Sequence, residues 1–593
     1  AVPMAAAATV TVEGATDGVF IPNWNEHASE MVVEVGGAGA EATKYVVVLG
    51  EKAVSLEMIS APQKTVYAVG EVFDTAGISI KALYPDDEEI VDNDKLIISP
   101  SGVLTAKDTK VVISYNGASI EYPIKVLKTI FKGNGTENDP YILESTDDLK
   151  KLSTEVESGN NYWNVYFKFA DDIENITLPD NWIPLGTNGG GFAGNINGNG
   201  KTLIVPKNSL SLIGVPKGCT IENLNIYGEK IPGNGLVERY TLESAGTLKN
   251  ITVKSGSHIL KSGLLGGYGN TSVNIYDCTI EKGVVIGDDG TWGDLGDTSY
   301  TYDFVGDING MNHQDMIGSF CGAWNGTISG CVSYATVYGR NYVGGIIGFK
   351  GQSMRKCIVN NCAFYGDIIA TGEGIGGIVG SGVTDSVTGG GYFAGSAPNS
   401  RCVTIENCYA TGSIKGKNKV GGIFGGELGV TNNWGNGIGR VRGNYFSGTV
   451  SATGENASVG GVIGFMKSMD IFNDVQGNYF VDDCGAANGI GAVETVFNAD
   501  KVSYNMYVNY GRDDNPMTSE KVTKKVTRAQ VTNGELVKLL NSGKYGRDNW
   551  QQGSEYPVFG EGKHIVGITS QRGDNGYDNC LEVASPSLLN FSQ

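Results

Sequence analysis

Histidine is the scarcest residue with chemistry to offer: His27, His258, His313 and His564 are the four among 593 residues. None belongs to a His-Glu-x-x-His pattern and no pair stands four apart, so a zinc-protease centre is excluded. Positive charge is also short, with 44 Lys and Arg against 64 Asp and Glu and a net charge of −20. Nucleic acids and anionic lipids are bound through clustered cations, so neither is an expected partner. No apolar run reaches the ~18–20 residues that a membrane helix needs, which argues against membrane insertion. Ten cysteines are too few to staple a chain of this length. A Gly-x-Ser-x-Gly nucleophile elbow, a P-loop and a helix-opening dinucleotide fingerprint are missing. Charged residues make up 18% of the chain, below the usual ~25%.

Glycine is what the chain has in excess. Its 88 residues are about twice the usual ~7% share, yet the aliphatic content is high enough for a large core. From about residue 9 to 58 the pattern is short β alternation, TVTVEG, EMVVEVG and KYVVVLG, broken by turn residues. Farther on, Gly-Gly-aliphatic-(aliphatic or Phe)-Gly recurs at Gly344–Gly348, Gly376–Gly380, Gly421–Gly425 and Gly460–Gly464. A looser copy spans Gly263–Gly266. The spacings of 32, 45 and 39 residues are those of a solenoid with insertions.

A second unit precedes each strict pentamer and aligns into two columns. One holds Asn223, Asn250, Asp277, Gly330, Asn361, Asn407, Asn444 and Asn478. The next holds Leu224, Ile251, Cys278, Cys331, Cys362, Cys408, Tyr445 and Tyr479. Equivalent residues of stacked coils lie one strand spacing apart, about 4.8 Å. The first column is therefore expected to form an amide ladder at an inward turn, and the second a buried apolar and thiol stack. Cys219 and Cys357 form a weaker column four residues earlier, and Cys484 and Cys580 are the candidates for a covalent bridge.

Two stretches resemble known families. Pro62, Lys64, Tyr67, Gly70-Glu71, Phe73-Asp74, Gly77, Tyr84 and Ser114-Tyr115-Asn116-Gly117 resemble bacterial immunoglobulin-like domains, which implies a spacer. Gly133, Gly135-Thr136, Asp139-Pro140-Tyr141, Leu149, Asp171-Asp172-Ile173, Trp182, Pro184-Leu185-Gly186 and Phe192 resemble the start of GLUG-repeat β-helix modules of bacterial surface proteins. Gly198, Gly200 and Lys201-Thr202 extend the match. Within this stretch Ser145 and Asp148 read as an N-cap pair opening a helix with Leu149, Leu152 and Val156 on one face. Near the end, Thr532 and Glu535 read as a capping box, Leu536, Leu539 and Leu540 as an apolar face and Gly543 as a stop. This helix, with Trp550 and Pro557-Val558-Phe559, is expected to cover the open end of the solenoid.

The expected fold is all-β: a right-handed parallel β-helix with N-terminal Ig-like sandwich units and short capping helices. The expected divisions are 1–58, a β segment; 59–128, the Ig-like domain; 129–490, the β-helix; 491–562, its cap; and 563–593, a β tail suited to assembly. The opening AVPMAAAATVTVEG looks like the remnant of a signal peptide, so the expected location is the cell surface, most simply of a Gram-positive-like bacterium.

Insertions between repeats carry the candidate chemistry. The segment 287–316 is rich in Asp and aromatic residues, the combination that sugar sites use for hydroxyls and ring faces. Trp292, Tyr300, Tyr302, Tyr392 and Trp434 are the candidate ligand-binding residues. If the groove hydrolyses glycans, a pair of carboxylates ~5–9 Å apart is required, and Asp303, Asp307, Asp385 and Glu427 are the candidates. Asp288, Asp289 and Asp307 form a weak Ca²⁺ set with no EF-hand spacing; no other cofactor is expected. Solvated acidic loops account for most such segments. Arg572-Gly573-Asp574 matches an integrin-read tripeptide at a frequency expected by chance. The leading expectation is a non-catalytic surface protein that adheres to a glycan or host surface and self-associates through its terminal β segments into a filament or layer. A glycan-active hydrolase, or a carbohydrate-binding protein, is the alternative.

Overall fold

The computed structural model describes residues 8–560 apart from 18, 22–27, 38–39, 51, 69–70, 106, 128–130, 188–189, 239–244, 267–272, 294–313, 325, 351–356, 383–401, 427, 429, 433–434, 467–473, 494–519, 521 and 543–548. Contacts divide the chain into two compact units, Ala1–Asp139 and Pro140–Gln593.

The first unit opens with an antiparallel meander, Ala8–Val12, Ala28–Gly37 and Ala40–Gly50. An Ig-like sandwich follows. One of its sheets joins Ser55–Ser60, Ser79–Leu83 and Glu88–Val91. Another joins Ile97–Ser99, Lys110–Tyr115 and Ala118–Pro123. Alternation decides which side chains go in: Val111 and Ile113 are buried within Lys110–Tyr115, as are Ile80 and Ala82 within Ser79–Leu83. Tyr67 is fully buried at the centre because its hydroxyl is satisfied, donating to Lys64 O (2.9 Å) and accepting from Asp74 N (3.2 Å). That environment pushes the phenol up to about 12, chiefly by burial.

The second unit is a parallel β-helix. It starts at Tyr141–Leu143 and passes into helix α1, Thr146–Glu157. Ser145 caps α1 by accepting from Asp148 N, and the Asp148 carboxylate accepts from Glu144 N (3.0 Å). Leu149, Leu152 and Val156 are buried, so the expected cap and face are both present. The long face is a 21-stranded sheet ending at Thr523–Val526. Two six-stranded sheets and one four-stranded sheet close the other sides.

One coil shows the path. Gly326–Ser329 and Val332–Ser333 lie in the long face. Thr336–Gly339, Val343–Gly344 and Ile347–Lys350 then take the chain round the remaining sides. The Gly-Gly pentamers form the corner between the last two. A Cβ on Gly345 would fall on the Gly377 carbonyl oxygen and the Phe364 ring. The residue is not in the left-handed region, so it is backbone approach between coils that requires glycine there. Ile346, Ile378, Ile423 and Val462 stack inward from the same corners, fully buried.

The first repeat column marks a left-handed bend in the long face. Asn223, Asn250, Asp277, Gly330, Asn361 and Asn407 have φ of 50–69°, a conformation that Gly, Asn and Asp tolerate best. The bend then passes to Gly443 and Gly477, both at φ 63°. The sequence alignment of the last two coils is therefore displaced by one residue, because Tyr409 pairs with Tyr445 and Tyr445 with Tyr479. Asn444 and Asn478 instead occupy the column of Cys278, Cys331, Cys362 and Cys408, all of them buried.

This inward column, rather than the bend itself, is the interior hydrogen-bonded ladder. Cys278 Sγ accepts from Ile251 N, and Cys331 Sγ from Cys278 N, both at 3.4 Å. Asn444 Oδ1 accepts from Cys408 N (2.8 Å), and Asn444 Nδ2 donates to Asn478 Oδ1 (2.9 Å). At these positions the bend leaves an N–H without a strand partner, and the side chain one coil on supplies the acceptor. On the bend column an amide ladder does form early, Asn250 Nδ2 to Asn223 Oδ1 at 2.7 Å, but at an exposed position.

The C-terminal segment also departs from expectation. Helices α2, Arg528–Thr532, and α3, Glu535–Ser542, follow the last long-face strand. The capping box belongs to Thr527 and Gln530; α3 instead receives the Asn533 side chain on Glu535 N (2.9 Å). The strands Trp550–Gln552 and Pro557–Phe559 form a hairpin that lies along the lateral long face instead of across the open end. Trp550 packs on Tyr409 and Tyr445 at ring distances of 5.7 and 5.4 Å, and Tyr445 Oη donates to Pro557 O. The physical reason is the same one-residue displacement. Tyr409, Tyr445 and Tyr479 point outward, and the hairpin covers the first two, which are buried.

Candidate functional site

Two places bring together residues with binding chemistry. The first is the root of the acidic insertion. Asp288 and Asp289 cap tight turns, accepting from Gly290 N (2.8 Å) and Thr291 N (2.9 Å). Burial works to raise the Asp289 pKa. The Thr291 hydrogen bonds and the nearby His258, whose Nε2 lies 3.8 Å away, outweigh it and hold the carboxyl below its ordinary value. Trp292 donates its indole N–H to His258 Nε2 (2.8 Å), and Lys230 Nζ lies 5.3 Å from its ring centroid. The indole is thus built into the wall, with one edge and one face engaged. At the far root Asp315 is buried against Arg340, which donates from Nε (2.8 Å) and from Nη2. This pairing raises the Arg340 pKa, chiefly through the hydrogen bond to Asp315. Asp315 is an anchor of the insertion.

Of the candidates named from sequence, Trp292, Asp288 and Asp289 are brought together here. Tyr300, Tyr302, Asp303, Asp307, Asp385, Tyr392, Glu427 and Trp434 lie outside the described residues, as do Cys580, Arg572-Gly573-Asp574 and residues 563–593. Among the described residues no group of three or more His, Cys, Asp and Glu is placed to hold a metal ion. Cys484 is a free, buried thiol. Cys278, Cys331 and Cys362 are also free, and burial pushes each thiol well above its ordinary value. They are therefore inert packing groups.

The second place is a lateral groove of about 650 Å³. Its floor is one outward column of the long face, Tyr334, Tyr365, Thr411 and Ser447, on four successive coils. Its wall is α2, through Arg528 and Thr532, and the hairpin turn, through Glu555 and Tyr556. Tyr334 and Tyr365 stack with centroids 4.6 Å apart and planes within 8°, a spacing set by the strands that carry them. Tyr556 packs on Tyr365 at 5.5 Å, and Tyr365 Oη shares a hydrogen bond with Tyr409 Oη. Arg528 is held by Asp483 (2.8 and 3.0 Å) and by Ser447 O. Tyr334 keeps 40% of its surface exposed.

This groove was missed from sequence although its signal was present. Tyr334 and Tyr365 each follow a column cysteine, Cys331 and Cys362, by three residues. The same alignment therefore carries the tyrosine column.

Residues 60–126 match the bacterial Ig-like domain (group 3). The chain is 31% identical over 145 residues to halomucin of Haloquadratum walsbyi, an alignment that spans 21% of this chain and 2% of halomucin. It is 28% identical over 138 residues to a protein of Evansella cellulosilytica named as a candidate Gly-rich membrane protein, spanning 21% of this chain and 15% of that one. The chain thus spans a small part of the curated relatives it matches. A solved structure from Bacteroides ovatus, of a candidate immunoglobulin A1 protease, aligns over 72% of this chain and 94% of its own at 15% identity and a TM-score of 0.31.

Proposed function

We propose that this chain is a non-catalytic, exported bacterial cell-surface protein that serves as a stiff structural and adhesive module. The observation that carries the reading is the solenoid itself. Its coils are locked by an interior column in which thiol and amide side chains accept main-chain N–H groups, and by glycine corners with no space for a side chain. Such stacking yields a rod whose length grows coil by coil and whose lateral faces are free for recognition. The Ig-like domain match at residues 60–126, the similarity to halomucin and to a Gly-rich membrane protein, and the GLUG-type resemblance of residues 129–560 support a surface role.

The test is proteolysis of intact source cells followed by mass spectrometry. Release of peptides from Pro140 onward before lysis is expected; recovery of the chain only after lysis refutes the reading. Self-assembly through the terminal segments is checked by electron microscopy of the purified chain over a range of concentrations. Removal of residues 1–15 or 563–593 is expected to abolish filaments or layers.

A further inference from the structure

We infer that the lateral groove floored by Tyr334 and Tyr365 and walled by the C-terminal hairpin is a saccharide-binding site for a linear, neutral oligosaccharide. This inference rests on the adhesive reading and assigns it a place and a ligand class. The lining and shape of the groove carry it. The two tyrosines are stacked and within 8° of parallel, so they leave no slot between them: Tyr365 backs one face of the Tyr334 ring, and Tyr334 keeps 40% of its surface exposed. A flat ring face suits the C–H face of a pyranose, whereas a proline-rich peptide fits ridges between splayed rings.

Polar groups share the groove lining with the rings. Thr411 and Thr532 offer hydroxyls, and Lys282 and Glu555 lie on the same lining. Arg528 is oriented in advance by Asp483 and Ser447 O, so little side-chain freedom is lost on binding. Lys282 and Arg528 of the lining are offset by Glu555 and by Asp483, which pairs with Arg528, a balance that favours a neutral ligand over a polyanion. The floor also follows the solenoid axis for four coils, so the site is elongated, and its volume of about 650 Å³ falls within the ~300–1,000 Å³ typical of ligand sites.

The test is titration calorimetry of the full chain with chitotetraose, cellotetraose and maltotetraose, and with decaproline as the peptide probe. At least one tetraose is expected to bind. Tyr334→Ala is expected to weaken it about tenfold or more, Tyr334→Trp to restore it, and Trp163→Ala, at an exposed ring away from the groove, to leave it unchanged. Limited digestion verifies that each variant keeps the hairpin in place. No tetraose binding, binding indifferent to Tyr334→Ala, or decaproline binding in place of the sugars overturns the inference. Each of these results leaves the surface reading to the proteolysis of intact cells, so the two fail separately.

Discussion

Replacement of Asn444 tests the interior column most directly. This side chain is fully buried, and its Oδ1 accepts from Cys408 N at 2.8 Å. Its Nδ2 donates to Ile405 O (3.0 Å) and to Asn478 Oδ1 (2.9 Å). Asn444→Leu keeps roughly the same volume but orphans the Cys408 N–H, a buried donor whose loss costs ~1–3 kcal/mol. The lost bond to Ile405 O adds ~1 kcal/mol. Asn478 Oδ1 retains the Asn444 N–H at 3.2 Å, so it adds little. The expected cost is about 2–4 kcal/mol. Asn444→Cys should cost about half as much, since Cys331 Sγ already accepts from Cys278 N at 3.4 Å in an equivalent position. Urea unfolding followed by circular dichroism of the β-rich chain measures the transition. The neighbouring Gly443 sets the register: with its φ of 63°, Gly443→Ala should cost ~1–2 kcal/mol. If Asn444 were the bend residue, Gly443→Ala would be nearly neutral and Asn444→Gly would be mild. Leu and Cys variants of equal stability, or an Asn444→Leu protein within ~0.5 kcal/mol of the parent, would refute the ladder.

The other expectations concern separate parts of the chain. Burial lowers the Lys125 pKa to about 8, whereas the unfolded side chain titrates near 10.4. Between those values the unfolded state binds the extra proton, so the stability of the Ig-like domain should rise with pH from about 8 to 10, by at most about 2–3 kcal/mol; calorimetry of the full chain should show Lys125→Met flattening this dependence. In native protein, iodoacetamide should leave Cys278, Cys331 and Cys362 unmodified and label all three after unfolding, because each thiol is buried; peptide mapping decides it. Gly377→Ala should destabilise the solenoid by up to ~3 kcal/mol, since its Cβ would meet the Gly422 carbonyl oxygen, with urea midpoints as the measure. Asp315→Asn removes the charge that Arg340 binds. It should cost ~1–2 kcal/mol, since the Arg340 charge left behind is about a third exposed, and should raise the rate of limited digestion.

Periodicity made the solenoid legible because stacked coils must repeat the same local geometry. The Gly-Gly pentamers all fall at one corner, and the bend residues from Asn223 to Asn407 share one conformation. The same alignment went wrong at Gly443-Asn444 because two residue types can satisfy each position. Glycine and asparagine both fit a left-handed bend, and asparagine and cysteine both accept an N–H from inside. Register there was settled by pairing between strands, Tyr409 with Tyr445, which no local pattern records. The capping box was displaced for a similar reason: Thr527 and Gln530 and Thr532 and Glu535 both fit the motif, and only the chain path selects between them. Of the candidate site, Trp292 with Asp288 and Asp289 was legible as composition. The engagement of the Trp292 indole by His258 and Lys230 came from residues 34 and 62 positions away in the chain.

The lateral groove follows from where the hairpin stops. Tyr334, Tyr365, Thr411 and Ser447 occupy one outward column, and Tyr409 and Tyr445 the column two residues nearer the bend. The hairpin buries the second column and turns at Glu555-Tyr556, so Tyr365 is half covered and Tyr334 stays open. A hairpin extended over both columns would seal the tyrosines as core; one absent altogether would expose four aromatic rings to aggregation. The observed length does neither, and it leaves the Tyr334 ring open in a groove that also holds a fixed arginine. Each copy of the chain carries one such groove. Ligand sites would then repeat along an assembled rod, and avidity would rise with rod length where the ligand is polymeric. Binding of a long polysaccharide should therefore tighten with protein concentration through the assembly range, while binding of a tetraose should not. Equal concentration dependence for both would separate assembly from recognition and refute this link between them.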